Sequence, residues 1–98
     1  MDKVRKYETA IVLKPDLDDE KREEILDRVK SVITDNDGEI KNIDEWGNRQ
    51  LAYEIEDYRA GDYTFIEFDS SSEVLEQLEH IYRILGEIIR SLIVRKEV

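Results

Sequence analysis

The chain has 98 residues, with 15 Lys plus Arg against 25 Asp plus Glu, one His and no Cys, for a net charge of −10. That length predicts one domain over residues 1–98, able to bury about 60–70% of the surface its unfolded form exposes. No apolar run approaches the roughly 20 residues that span a bilayer and no apolar signal-peptide core follows Met1, so a cytoplasmic protein is expected. Disulfides and thiolate metal sites are excluded. The acid excess also stands against nonspecific binding to nucleic acid, whose affinity rests on Lys and Arg displacing counterions.

In chain order, Tyr7 to Leu13 is β-branched and apolar and stops at Lys14-Pro15. It predicts a strand with Thr9, Ile11 and Leu13 on one face and Ala10 and Val12 on the other, which is the pattern of a central strand. Asp18 offers an N-cap, Asp19 and Glu20 suit the first helical turn, and Ile25, Leu26, Val29, Val32 and Ile33 recur at helical spacing. This helix is expected to end near Asn36-Asp37-Gly38, with the glycine in the left-handed C-terminal position. Ile40 and Ile43 begin a second strand. Gly47 beside Trp46 reads as a kink or bulge, after which Leu51, Tyr53 and Ile55 alternate with Ala52, Glu54 and Glu56.

Ala60-Gly61-Asp62 reads as a turn and Tyr63 to Phe68 as a third strand. Ser70 and Glu73 have capping-box spacing, and Val74, Leu75, Leu78, Ile81, Tyr82 and Leu85 form the stripe of a second amphipathic helix. Ile88, Ile89, Leu92, Ile93 and Val94 make a last strand, closed by Arg95-Lys96. The order βαββαβ is the ferredoxin-like split-βαβ arrangement, an α+β fold with two helices on one face of a four-stranded antiparallel sheet.

Charge is unevenly placed along this order. Lys3, Arg5, Lys6 and Lys14 outweigh Glu8 at the start, and Arg90, Arg95 and Lys96 outweigh Glu97 at the end; between Asp62 and Glu87 only Arg83 opposes seven acids. Neighbouring first and last strands would bring the two basic blocks side by side, with the acidic helices on the opposite face. The bland alternative is that these bases are solvated residues, or guards that keep an edge strand from pairing with another chain.

Catalytic constellations are scarce. His80 falls among the polar positions of the second helix, Glu76, Gln77 and Glu79, and reads as a solvated surface residue. No Ser stands with a His and a carboxylate, and no glycine-rich loop opens a helix to cradle phosphate. An acyl-phosphate hydrolase of this architecture would need a basic loop after the first strand, where Lys14 to Glu20 is acidic. Asp35 to Glu39 resembles a calcium loop only superficially, because Ile40 and Trp46 would occupy the obligatory Gly and bidentate Glu positions. No enzyme, cofactor, metal or small-molecule substrate is expected. Tyr63, Phe65 and Phe68 lie where RNA-recognition motifs display stacking aromatics but lack that motif's signature, and core packing is the expected role of Phe65. Trp46 reads as a bulge residue whose ring covers the end of the sheet.

From Asp44 to Ile55, and above all in the string Trp46 to Tyr53, the sequence closely resembles the sixth protein of the bacterial small ribosomal subunit, the S-six family. The resemblance extends through Arg5 to Glu8, Lys14 to Asp18, Gly38-Glu39, Tyr82-Arg83 and Ile89 to Lys96. It implies a structural protein that binds small-subunit ribosomal RNA in the central domain, as a heterodimer with the S-eighteen ribosomal protein. The RNA-facing candidates it implies are Arg5, Lys6, Tyr7, Arg49, Arg90, Arg95 and Lys96. The family commonly has a base at Asn48 and often a second Arg at Gln50, and a polar pair where Leu85-Gly86-Glu87 stands. These departures and the charge of −10 leave open a fold-only interaction protein, natural or engineered, with weakened or lost RNA binding.

Overall fold

Apolar residues two apart favour an extended chain with one buried face, and from Tyr7 onward this alternation builds the centre of the sheet. A computed structural model of the chain describes residues 4–55 and 58–96. Lys3, Glu56 and Glu97, which entered the sequence reading, lie outside the described residues. Strand β1 (Arg5–Leu13) leads to helix α1 (Asp19–Asp35), the hairpin β2 (Glu39–Ile55) and β3 (Tyr58–Ser70), helix α2 (Glu73–Ile84) and strand β4 (Ile88–Arg95). The sheet is antiparallel, in the order β2-β3-β1-β4, so β1 is central and the first and last strands are neighbours.

The helices pack on one face because each has a single apolar stripe. Ile25, Leu26, Val29 and Ile33 of α1 and Val74, Leu78 and Tyr82 of α2 close over Tyr7, Ile11, Leu13, Ile66 and Phe68. Burying Tyr82 requires a partner for its hydroxyl, which Thr9 provides: the two oxygens lie 2.8 Å apart, and the Thr9 hydroxyl also reaches the Leu92 carbonyl. A second, smaller cluster of Val12, Leu51 and Ile89 forms with Tyr58 and Tyr63 packed on it.

Local signals are realised with some changes of residue. Asp18 caps α1, accepting the Lys21 amide at 2.8 Å. At the other end Asp37, with φ 65°, takes the left-handed position expected of Gly38, a conformation Asp tolerates. The Gly38 amide then donates to the Ile33 carbonyl at 2.8 Å. The Ser70–Glu73 capping box does not form. Ser70 is drawn into β3, where it is buried opposite Arg5 and donates to the Ser71 carbonyl, and Ser72 precedes α2 without a side-chain cap.

Ala60-Gly61-Asp62 is strand, not turn, since β3 starts at Tyr58. The glycine is needed for packing: a Cβ at Gly61 would overlap the Val12 Cγ1 methyl. Gly47 has φ +75° at a register shift between Glu45 and the following pairs, which is the bulge expected there. Arg22 ties α1 to the hairpin, donating from Nε to Asp62 at 2.5 Å and lying 2.8 Å from Glu45. The Asp62 contact is the main reason its guanidinium is held even more firmly protonated than usual.

Candidate nucleic-acid interface

Residues directly opposite in an antiparallel pair share a face, so the register assigns the helix-free side. Lys6 is opposite Asp69, Glu8 opposite Glu67, Ala10 opposite Phe65 and Val12 opposite Tyr63; on the other flank Glu8 faces Val94 and Ala10 faces Leu92. Phe65 thus lies on the open side, not in the core. Thr64, Ile66 and Phe68, with Asp62 and Ser70 of the same parity, are buried on the helix side of β3. The Phe65 ring meets Trp46 at 4.6 Å, and Tyr63 lies 6.4 Å from both. Trp46 is 47% exposed, and its indole N–H donates to Asp44 at 2.9 Å. The bulge at Gly47 turns this ring onto the open face rather than over the end of the sheet.

Six of the seven residues implicated in RNA contact fall into two groups. Antiparallel pairing sets the start of β1 against the end of β4: Arg95 is opposite Tyr7, and the Lys96 amide donates to the Lys6 carbonyl at 2.8 Å. Arg5, Lys6, Arg95 and Lys96 are therefore gathered at one end. By strand parity Arg5 and Arg95 belong to the helix side of that end, and Lys6 and Lys96 to the open side.

Arg90 and Arg49 lie at the other end. Arg90 is opposite Val12, and Arg49 is opposite Gly61, the residue that packs on Val12. Both side chains are exposed, and Arg49 donates to the Asn48 carbonyl at 3.1 Å. Lys14 is nearby, its ammonium 5.9 Å from the Tyr58 ring centre. Six residues along β1 separate Lys6 from Val12, a span of roughly 20 Å.

The seventh residue, Tyr7, does not belong to either group. It is 4% exposed, with its ring 5.7 Å from Phe68 in the core, so it is a packing residue. Its parity with Thr9, Ile11 and Leu13 already carries that assignment, against the RNA-facing role implied by the family motif.

Carboxylates occupy part of the basic surface. The Lys96 ammonium lies 2.7 Å from Glu67 and 4.0 Å from Glu8, and that of Lys41 lies 3.0 Å from Glu39 and 3.8 Å from Asp69. Both lysines titrate above their ordinary value, Lys96 chiefly through its bond to Glu67 and Lys41 through its bond to Glu39. Lys41 was not among the sequence candidates; its alternation with Glu39 across from Asp69 is the signal that finds it. On the helix side, Asp19, Glu20, Glu23, Glu24 and Asp27 are all exposed on α1. His80 is exposed on α2. Among the described residues no group of three or more His, Cys, Asp or Glu is placed to hold a metal ion, and no helix is long and apolar enough to cross a membrane.

Fold and surface together define a ferredoxin-like protein with an open, charged and aromatic sheet face and cations gathered at the ends of its strands. Comparison with known proteins narrows this class. The family described as ribosomal protein S6 matches residues 6–95. Small ribosomal subunit protein bS6 of Caldanaerobacter subterraneus subsp. tengcongensis is 45% identical, covering 96% of this chain and 99% of its own. The bS6 protein of Desulforudis audaxviator is 38% identical over 96% of this chain and all of its own. The crystal structure of 30S ribosomal protein S6 from Thermotoga maritima superposes with a TM-score of 0.90 at 38% identity, covering 96% of this chain and 89% of that one. The chain belongs to the ribosomal protein S6 family, and is thereby a protein of the small subunit of the cytoplasmic ribosome.

Proposed function

We propose that the chain acts as a single domain that binds small-subunit ribosomal RNA in the central domain, together with the S-eighteen ribosomal protein. It acts by assembly and carries out no catalysis. The observation that supports this most is the pairing of β1 with β4, which gathers Arg5, Lys6, Arg95 and Lys96 at one end of a chain whose net charge is −10. Phosphate contacts by these bases, and by Arg49 and Arg90 at the far end, orient the protein on RNA without reading sequence. The partner supplies the remaining affinity. Exposed apolar side chains give it a seat, with Leu92 at 60% and Val94 at 40% exposure on the edge strand β4 and Trp46 on the same open face.

Filter binding to central-domain ribosomal RNA tests this reading. Retention should be weak with the chain alone and rise sharply when the S-eighteen protein is added; no rise on adding the partner would overturn it. The carboxylates already bonded to Lys41 and Lys96 favour a second reading, a fold-only interaction protein without an RNA site. Failure of the chain to co-sediment with small-subunit particles from bacterial cells that express it decides for that second reading.

A further inference from the structure

Lys6, Lys41 and Lys96 surround a concavity of about 420 Å³ on the helix-free face, which Glu67 and Asp69 also line. Three lysines line it from three different strands or their ends, which is how a surface meets a phosphate rather than how one strand decorates itself. Yet two of the three are already engaged. Lys96 is held by Glu67 at 2.7 Å with Glu8 at 4.0 Å, and Lys41 is held by Glu39 at 3.0 Å with Asp69 at 3.8 Å. Lys6 is opposite Asp69 in the register.

We propose that this concavity is a phosphate seat for RNA whose occupancy is contested from within by Glu67 and Asp69. These two carboxylates keep the chain alone from binding RNA firmly. The proposal rests on the RNA-binding reading above and adds a mechanism to it. Exposed ion pairs of this kind are individually weak, because water screens them and long side chains lose entropy to form them. A phosphate oxygen can therefore displace Glu67 from Lys96 at little cost, but it must then sit near an uncompensated carboxylate. The lysines are pre-positioned and the affinity is attenuated. This also accounts for a reliance on a partner: contacts made elsewhere would supply what the seat withholds.

Three variants and a control test it. Glu67→Gln keeps the shape of the side chain and frees the Lys96 ammonium. Binding of the chain, with its partner present, to central-domain ribosomal RNA should tighten by roughly two- to fivefold at low salt. The log–log salt dependence should steepen, by no more than the roughly 0.7–0.9 that one phosphate contact contributes. Glu24→Gln, the same charge change on the exposed face of α1, should do less. In a Lys96→Ala background the gain from Glu67→Gln should shrink, and Lys41→Ala should weaken binding. Equal gains from Glu67→Gln and Glu24→Gln would overturn the proposal by showing only a general charge effect. The seat is also probed without ribosomal RNA, by titrating inorganic polyphosphate into the ¹⁵N-labelled chain. Shifts at residues 6, 41 and 96 that are stronger in the Glu67→Gln variant support the seat even if ribosomal RNA is not bound, in which case the RNA-binding reading alone falls. No shift at these residues in either protein overturns the seat.

Discussion

Along β1, Tyr7, Thr9, Ile11 and Leu13 are buried under the helices, whereas Lys6, Glu8 and Ala10, one residue out of phase, face the side the helices leave open. The same contrast runs through β3, where Thr64, Ile66 and Phe68 are buried and Tyr63, Phe65 and Glu67 are half-exposed. On the covered face the side chains are mostly surrounded by apolar atoms, and Thr9 is hydrogen-bonded to Tyr82, although the buried Thr64 hydroxyl has no such partner. On the open face rings meet at 4.6–6.4 Å and charges pair on the surface, contacts that leave each group accessible. The covered face carries the main core, whereas the open face carries the surface proposed for recognition beside the smaller Val12 cluster, and substitutions chosen by strand parity separate the two.

The largest effect should come from the covered face. Phe68→Ala removes a ring that is 1% exposed and in contact with Tyr7, and should cost about 3–5 kcal/mol in a urea titration. That is a large part of the 5–15 kcal/mol by which domains are ordinarily stable. A loss below about 1 kcal/mol would mean that the two faces are not divided as described. Gly61→Ala should come next, at about 1–3 kcal/mol, because the added methyl overlaps Val12 in the smaller cluster and the hairpin must shift.

Tyr82→Phe is smaller and has a pH signature. Thr9 keeps the Leu92 carbonyl as a partner, so the lost hydrogen bond should cost only about 0.5–1.5 kcal/mol near neutral pH. Burial pushes the Tyr82 phenol up to about 12, partly opposed by its hydrogen bond with Thr9. The unfolded chain ionises this group first, near pH 10, so its contribution is intact below pH 10 and is lost as the pH rises towards 12. The drop amounts to about 2–3 kcal/mol, two pH units at about 1.4 kcal/mol each. Stability of the parent chain should therefore fall more steeply between pH 10 and 12 than that of Tyr82→Phe. Parallel curves would show that the phenol is not shielded.

These comparisons also explain what was legible in the sequence. Element order, the Asp18 cap and the core stripes follow from periodicity and local hydrogen bonding, which are properties of neighbouring residues. The errors arise where a distant strand decides. Ser70 leaves its capping box because pairing with β1 satisfies its backbone. Ala60-Gly61-Asp62 has turn composition, but its glycine is selected by contact with Val12. Phe65 faces outward because the parity of β3 is set by Thr64 and Ile66. Tyr7 shows the reverse: alternation alone assigns it to the core, against a motif match. Lys41 is not legible from its neighbours because its approach to Asp69, 3.8 Å away, follows from the pairing of Glu39 with Asp69, which no local pattern encodes.

The smallest stability effects, and the sharpest test of the open surface, belong to the exposed bases. Arg49→Gln, Arg90→Gln, Lys6→Gln and Lys96→Gln should each change stability by no more than about 0.5 kcal/mol. Their effect should appear instead in RNA binding, each reducing the log–log salt slope by roughly 0.7–0.9 if its cation meets a phosphate. The two ends of the sheet are roughly 20 Å apart, well beyond the distance at which substitutions ordinarily couple. Removing one base from each end, as in Arg90→Gln with Lys96→Gln, should therefore lower the slope by the sum of the single changes. Slopes that respond only to Lys6 and Lys96 would confine RNA to the β1–β4 end. A response to Arg49 and Arg90 alone would move the RNA to the far end, leaving the lysines of the open face to their internal carboxylates.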